Sequence, residues 1–178
     1  NYNASKYWIG GGQGSEGIII RSTNEGDSWE TMQSFERPIE KIQFVNSTTG
    51  FASSDSRVYK STNGGANWVD IDLPTSGYFL TFYMANANIG YASNWDNTYK
   101  TLDGGATWFE QNTVLPNTSF RDIEFAPGST SIGWMCGSEG AIVYTNNSGG
   151  GAIGIEPISG NVPEKYSLSQ NYPNPFNP

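Results

Sequence analysis

Short runs of alternating apolar and polar residues recur along most of this chain, each closed by a cluster of Gly, Asn, Ser and Thr. IEKIQFV at 39–45 alternates as a half-buried strand does, because successive strand side chains point to opposite faces. FASSDS at 51–56, RVYKST at 57–62 and WVDID at 68–72 supply three further strands, with NSTTG at 46–50 as the first turn. The order returns from Tyr78 to Gln111 as YFLTFYM, IGYASN, NTYKTL and WFEQN. It starts again at Phe120 with FRDIEF, IGWMCG and AIVYTN, but GGGAIGIEP then stands where a fourth strand is due, so that strand is expected to be missing. Before these units, Tyr7-Trp8-Ile9 and Gly17 to Ser22 read as strands of a unit entered part-way. The pattern predicts an all-β chain of four-stranded antiparallel sheets, about three and a half of them.

One turn punctuates every unit. It reads STNEGDSW at 22–29, STNGGANW at 61–68 and TLDGGATW at 101–108, with a worn copy, TNNSGGGA, at 145–152. The starts lie 39, 40 and 44 residues apart, a period of repeat architectures that place one small sheet in each repeat. Ser22, Ser61, Thr101 and Thr145 open the turn. Asn24, Asn63, Asp103 and Asn147 follow at its third place, where a short side-chain oxygen accepts bonds from nearby backbone amides. Gly26, Gly65, Gly105 and Gly149 come two places later, where a tight hairpin calls for positive φ. Trp29, Trp68 and Trp108 begin the next strand and are expected to fold their rings beneath the turn. The unit reads as a structural staple rather than a catalytic motif.

The pattern Ser/Thr-x-Asp-x-Gly-x-Thr-Trp resembles the Asp-box, or bacterial neuraminidase repeat. Residues 101–108 match it fully, while Asn24 and Asn63 replace the aspartate in the other two good copies. The longer context, NIGYASNWDNTYKTLDGGATW at 88–108, is similar to the β-propeller repeats of the photosystem II stability and assembly factor family. The resemblance spans most of residues 7–152 and implies a β-propeller with each box on the outer rim, between the last two strands of a blade. That family has more blades than this chain supplies. The expectation is a piece of a larger propeller, with a four-bladed ring closed by irregular pieces, or blades completed by another molecule, as the other assemblies.

Composition narrows the function. Seventeen acidic against nine basic residues give a net charge of −8, which argues against a nucleic-acid backbone or an anionic membrane as partner. Histidine is absent, removing the commonest metal ligand and general base. The single cysteine, Cys136, excludes a disulfide within the chain and reads as a small buried residue in GWMCG. GGGQGSEG at 10–17 lacks the lysine and following helix of a phosphate loop. Asp70, Asp72 and Asp103 have no EF-hand or nonapeptide calcium spacing. No cofactor and no metal are expected, and the N-terminus lacks the basic-then-apolar pattern of a signal peptide.

After Gly151 the texture changes to an extended linker over 153–165. YSLSQNYPNPFNP at 166–178 closely resembles the opening of the C-terminal sorting domain of the type IX secretion system. That resemblance implies export across the outer membrane and contact with the secretion machinery. Residues 1–152 are then the propeller domain. An acidic surface and sequons at Asn3, Asn46, Asn117 and Asn146 agree with a secreted or cell-surface protein without membrane insertion.

The Asp-box resemblance also raises a sialidase, whose family clamps a carboxylate with three arginines beside a tyrosine–glutamate pair. Only Arg21, Arg37, Arg57 and Arg121 are present, and Arg21 shares a repeat position with Lys60, Lys100 and Tyr144. The reading is therefore a non-enzymatic binding module for a protein or glycan. Trp95, on the turn SNWDN, is the candidate ligand contact; Trp8 and Trp134 also lie outside the boxes. The alternative is a structural surface or filament component that self-associates through blade edges.

Overall fold

Turns of a few residues let consecutive strands pair only as antiparallel hairpins, and the chain exploits this throughout. The computed structural model describes residues 6–73, 78–95, 97–111, 115, 118–148 and 156–159. Four sheets follow one another. The first holds β1 (Tyr7–Gln13), β2 (Glu16–Ser22) and β3 (Glu30–Phe35); the second holds β4 (Lys41–Phe44), β5 (Gly50–Ser53), β6 (Val58–Ser61) and β7 (Val69–Ile71). The third is β8 (Phe79–Met84), β9 (Gly90–Asn94), β10 (Thr98–Thr101) and β11 (Phe109–Gln111). The fourth is β12 (Phe120–Phe125), β13 (Gly133–Gly137), β14 (Ile142–Thr145) and β15 (Glu156–Ser159). The one helical element among the described residues is a 3-10 turn at Ser138–Gly140, and no helix there is long and apolar enough to cross a membrane.

The expected absence of a fourth strand in the last sheet is overturned. Glu156–Ser159 pairs with β14, matching Tyr144 to Glu156 and Val143 to Pro157. It comes from within the stretch read as a linker over 153–165. Pro157 disguised it, since proline lacks the ladder donor and is tolerated only on an edge strand such as this one. The sorting-domain resemblance at 166–178 lies outside the described residues, as do Gly149 and the sequons at Asn3 and Asn117.

The core consists of three apolar clusters, each shared by two consecutive sheets. Ile19 of the first sheet packs with Ile39, Ala52, Tyr59 and Trp68 of the second. Phe51 and Val58 of the second pack with Phe79, Phe82, Met84 and Ala92 of the third. Tyr91 of the third packs with Phe120, Ile123, Phe125, Met135 and Val143 of the fourth. The first strands lie side by side, β4 against β8 and β8 against β12, and so line a common axis. Side-chain amides bridge the sheets as strand-like pairs. Gln33 accepts from Trp68 N–H at 2.9 Å and donates to its carbonyl at 3.1 Å; Gln43 does the same to Met84 at 2.9 and 2.7 Å.

Three glycine positions of the repeat are fixed by the structure. Gly50, Gly90 and Gly133 face Phe44, Met84 and Phe125 across the hairpin, and a Cβ there would meet those side chains at 2.7, 2.0 and 2.9 Å. In the repeated turn, Gly64 and Gly104 at the fourth place and Gly26, Gly65 and Gly105 at the fifth all have positive φ.

Cys136 is exposed, not buried. It alternates with buried Met135 on β13, and register, rather than the apolar company of GWMCG, decides which face a strand residue takes. Trp29 folds its ring beneath Gly26 as expected, yet it stays 40% exposed, while Trp68 at the same repeat position is buried. Trp68 closes on Phe44 and the first sheet, whereas among the described residues no sheet stands over Trp29.

Candidate functional site

The starts of the first strands converge at one end of the axis. There Glu40 and Lys41 of the second sheet, Thr81 and Phe82 of the third, and Arg121 and Asp122 of the fourth line a recess of about 240 Å³, floored by Ser53, Ser54 and Phe79. Two irregularities shape it. The ladder slips between Phe79 and Thr81, and again between Phe120 and Asp122, so Leu80 and Arg121 are extra residues without a cross-strand partner. Such bulges bend a strand and re-aim a side chain. Arg121 is turned onto the indole of Trp95, its guanidinium carbon 5.5 Å from the ring centroid.

Trp95 lies in the turn between β9 and β10, 52% exposed, and its carbonyl accepts from Ser119 Oγ at 3.0 Å. The turn thereby stands against the start of the fourth sheet. Lys41 places its ammonium 5.5 Å from the ring centre of Tyr83, deeper along the axis. Burial pushes the Tyr83 hydroxyl above its ordinary range, with the Glu124 carboxylate adding to the effect. The recess thus offers two cations, two carboxylates and hydroxyls beside an exposed aromatic plane. That combination can hydrogen-bond a polar chain while stacking one flat or apolar face of it.

The repeated turns stand at the opposite end. Each opening hydroxyl organises its loop: Ser61 Oγ accepts from Gly65 N–H at 2.9 Å and donates to Asn63 Oδ1 at 3.0 Å, while Asn67 N–H reaches the same Oδ1 at 3.0 Å. Ser22 with Asn24 and Thr101 with Asp103 repeat this network, and Thr145 donates to Asn147. Asp103 gains an extra bond from the Thr107 hydroxyl at 2.5 Å, which with the Thr107 amide lowers its carboxyl to about 2. The last three loops dock on the first turn of their own sheets, Gly64 on Thr48, Gly104 on Asn88 and Ser148 on Ser131. These side chains are consumed in holding the turn.

The repeat position before the turn clamps neighbours together. Lys60 Nζ donates to the carbonyl of Gly104 in the next sheet at 2.8 Å, and Lys100 donates to that of Ser148. Burial lowers the Lys100 pKa. Tyr91 donates to the same Ser148 carbonyl, and burial raises its hydroxyl pKa. The four arginines stand apart. Arg21 pairs with Glu30, Arg37 with Asp55 at 3.1 Å, Arg57 with Asp70, and Arg121 with the Trp95 ring. Among the described residues no cluster of His, Cys, Asp and Glu could hold a metal ion. Glu40–Lys41 and Arg121–Asp122 are two adjacent charge pairs far apart in the sequence; their shared place at the start of a first strand is the signal that links them.

No family model matches the chain, and no curated protein does. Solved structures do match. The GH74 enzyme of Niastella koreensis superposes on 88% of this chain with a TM-score of 0.70 at 16% identity, and YCF48 from Cyanidioschyzon merolae on 78% with 0.59 at 16%. The C-terminal WD40 domain of Sif2 matches 80% with 0.61 at 12% identity. The fold is a β-propeller. Each sheet is a blade, and the recess is the mouth of the propeller axis. The chain spans 50% of the YCF48 chain and 28% of the GH74 chain. At these identities the likeness concerns the fold alone.

Proposed function

We propose that this protein is a non-catalytic interaction module that binds a protein or glycan segment at the axial mouth. The observation that carries this is the pairing of exposed Trp95 with Arg121 at the rim of a mixed-charge recess. Aromatic and arginine side chains dominate binding energy at interfaces. Dispersal of the four arginines counts against a carboxylate clamp of the sialidase kind. The repeated turn is read as an Asp-box that staples the blade. The terminal segment 166–178 is read as the start of a type IX sorting domain, giving a secreted or outer-surface protein that meets the type IX machinery and takes neither nucleic acid nor a membrane-inserted state.

The test is a glycan and peptide binding screen of the wild type beside Trp95→Ala and Arg121→Ala. Loss of a hot-spot contact weakens binding by about 30-fold or more. Binding that survives both substitutions would place the ligand elsewhere. Glu40 and Asp122 bring two carboxylates into the same recess, which favours glycoside hydrolysis as the second reading. Release of reducing sugar by the wild type, lost in both Glu40→Gln and Asp122→Asn, would select it.

A further inference from the structure

Seven lysines and arginines lie between residues 7 and 148. Five of them hand N–H groups to acceptors of the protein itself: Arg21, Arg37 and Arg57 to carboxylates, Lys60 and Lys100 to backbone carbonyls. Lys41 and Arg121 do not. Each is held over an aromatic face, Lys41 on Tyr83 and Arg121 on Trp95, and among the described residues neither donates a hydrogen bond or joins an ion pair. A ring contact does not by itself prevent this, since Lys60 and Lys100 lie over Phe51 and Tyr91 and still reach a carbonyl. A ring attracts the cation and leaves its N–H donors unspent. The two cations with unspent donors are the two that line the axial recess. Both are turned onto the third blade, so blades added before the first or after the fourth would leave these contacts as they are.

The recess also carries two carboxylates, Glu40 and Asp122, and neither is ion-paired among the described residues; Asp122 Oδ1 accepts from the Ile123 amide at 3.0 Å. A ligand must answer both signs of charge within about 240 Å³, less than the roughly 300–1,000 Å³ of a pocket for a drug-sized molecule. A neutral sugar would leave both cations without a counter-charge. A bare anion would leave both carboxylates facing it. A sugar ring that bears a carboxylate meets all four groups at once. Its carboxylate takes Lys41 and Arg121, its hydroxyls donate to Glu40 and Asp122, and its apolar face meets the half-exposed indole of Trp95. An acidic peptide brings the carboxylate but has single backbone amides as neighbouring donors, where a sugar presents several hydroxyls on one ring.

We propose that the axial mouth binds a uronic acid unit of a glycan, with Lys41 and Arg121 as the carboxylate contacts. The inference rests on the axial-mouth reading and names the ligand class of that site.

Calorimetric titration of the wild type with short oligomers of galacturonate, glucuronate and mannuronate, each beside its methyl ester, tests it. Acid and ester share the ring and its hydroxyls and differ in charge. At least one acid is expected to bind, at least about 10-fold tighter than its ester and more weakly as salt is added. Lys41→Gln should cost the acid about 10-fold or more and leave the ester as it was. Equal binding of acid and ester, lost in Trp95→Ala, overturns the carboxylate contact and leaves the mouth as the binding site. A glutamate-rich peptide that binds through Lys41 and Arg121 where no uronate does overturns the glycan assignment in the same way. If none of these probes binds in a manner that depends on Trp95 or Arg121, the axial-mouth reading falls and this inference with it.

Discussion

Replacing Trp68 by alanine probes the interface between the first two blades directly. The ring is 4% exposed, packs edge-on to Phe44 at 5.8 Å and belongs to the cluster of Ile19, Ile39, Ala52 and Tyr59. A buried aromatic removes about 150–250 Å² from water, worth about 4–6 kcal/mol at about 25 cal/mol per Å². Against this, the indole N–H is buried without a hydrogen-bond partner among the described residues, an arrangement that costs about 1–3 kcal/mol and disappears with the ring. The net expectation is a loss of about 3 kcal/mol for Trp68→Ala. For Trp68→Phe it is about 1 kcal/mol, because phenylalanine keeps most of the apolar area and sheds the unpaired donor. The Gln33 bridge to the Trp68 backbone survives both changes. Urea unfolding followed by circular dichroism reads the difference. With a slope of about 2 kcal/mol per M, the alanine midpoint falls by about 1.5 M and the phenylalanine midpoint by about 0.5 M. Equal losses for the two variants would refute the claim that apolar area holds this junction, and an alanine loss under about 1 kcal/mol would refute the burial itself.

Three further outcomes follow from the same structure. Glu25 holds φ 60° where Gly64 and Gly104 sit in other blades, so Glu25→Gly should gain about 0.5 kcal/mol, whereas Gly104→Ala, whose Cβ would lie 2.5 Å from the Ala87 carbonyl oxygen, should lose about 2 kcal/mol in thermal unfolding. Carboxyl titration by NMR should find Asp103 near 2, moving back toward 3.9 in Thr107→Val. Because its folded pKa is depressed, its contribution is complete above pH of about 4 and is lost as pH falls toward 2; a wild-type midpoint near 3.9 would show that the Thr107 bonds do not form. Lys60→Met, which removes the donor to Gly104, should lower stability by about 1–2 kcal/mol, and no change in the urea midpoint would show that this contact does not hold the blades together.

Legibility in the sequence follows the range of the forces involved. The strands and the repeated turn were readable because alternation, Asx chemistry and glycine are local, and the turn at 61–68 closes with bonds spanning at most four residues. The fate of Trp29 was not, because its letters match Trp68 and only its place in the array differs. Cys136 depended on a strand register that a five-residue apolar run does not reveal. The axial recess drew Glu40 and Arg121 together from 81 residues apart, through the packing of successive blades and a bulge in FRDIEF that its regular alternation conceals. Trp95 was visible because an aromatic amid polar turn residues stands out; its arginine partner was not.

The three separate clusters, each confined to one pair of adjacent blades, make the molecule a linear array in its energetics. Stability is then a sum of blade terms and nearest-neighbour couplings, so disruption at one junction is not shared by the others. The same arithmetic governs how such a chain changes length. Adding or deleting one whole repeat alters the total by one blade and one junction, leaves every other junction as it was, and so meets little resistance from the rest of the fold.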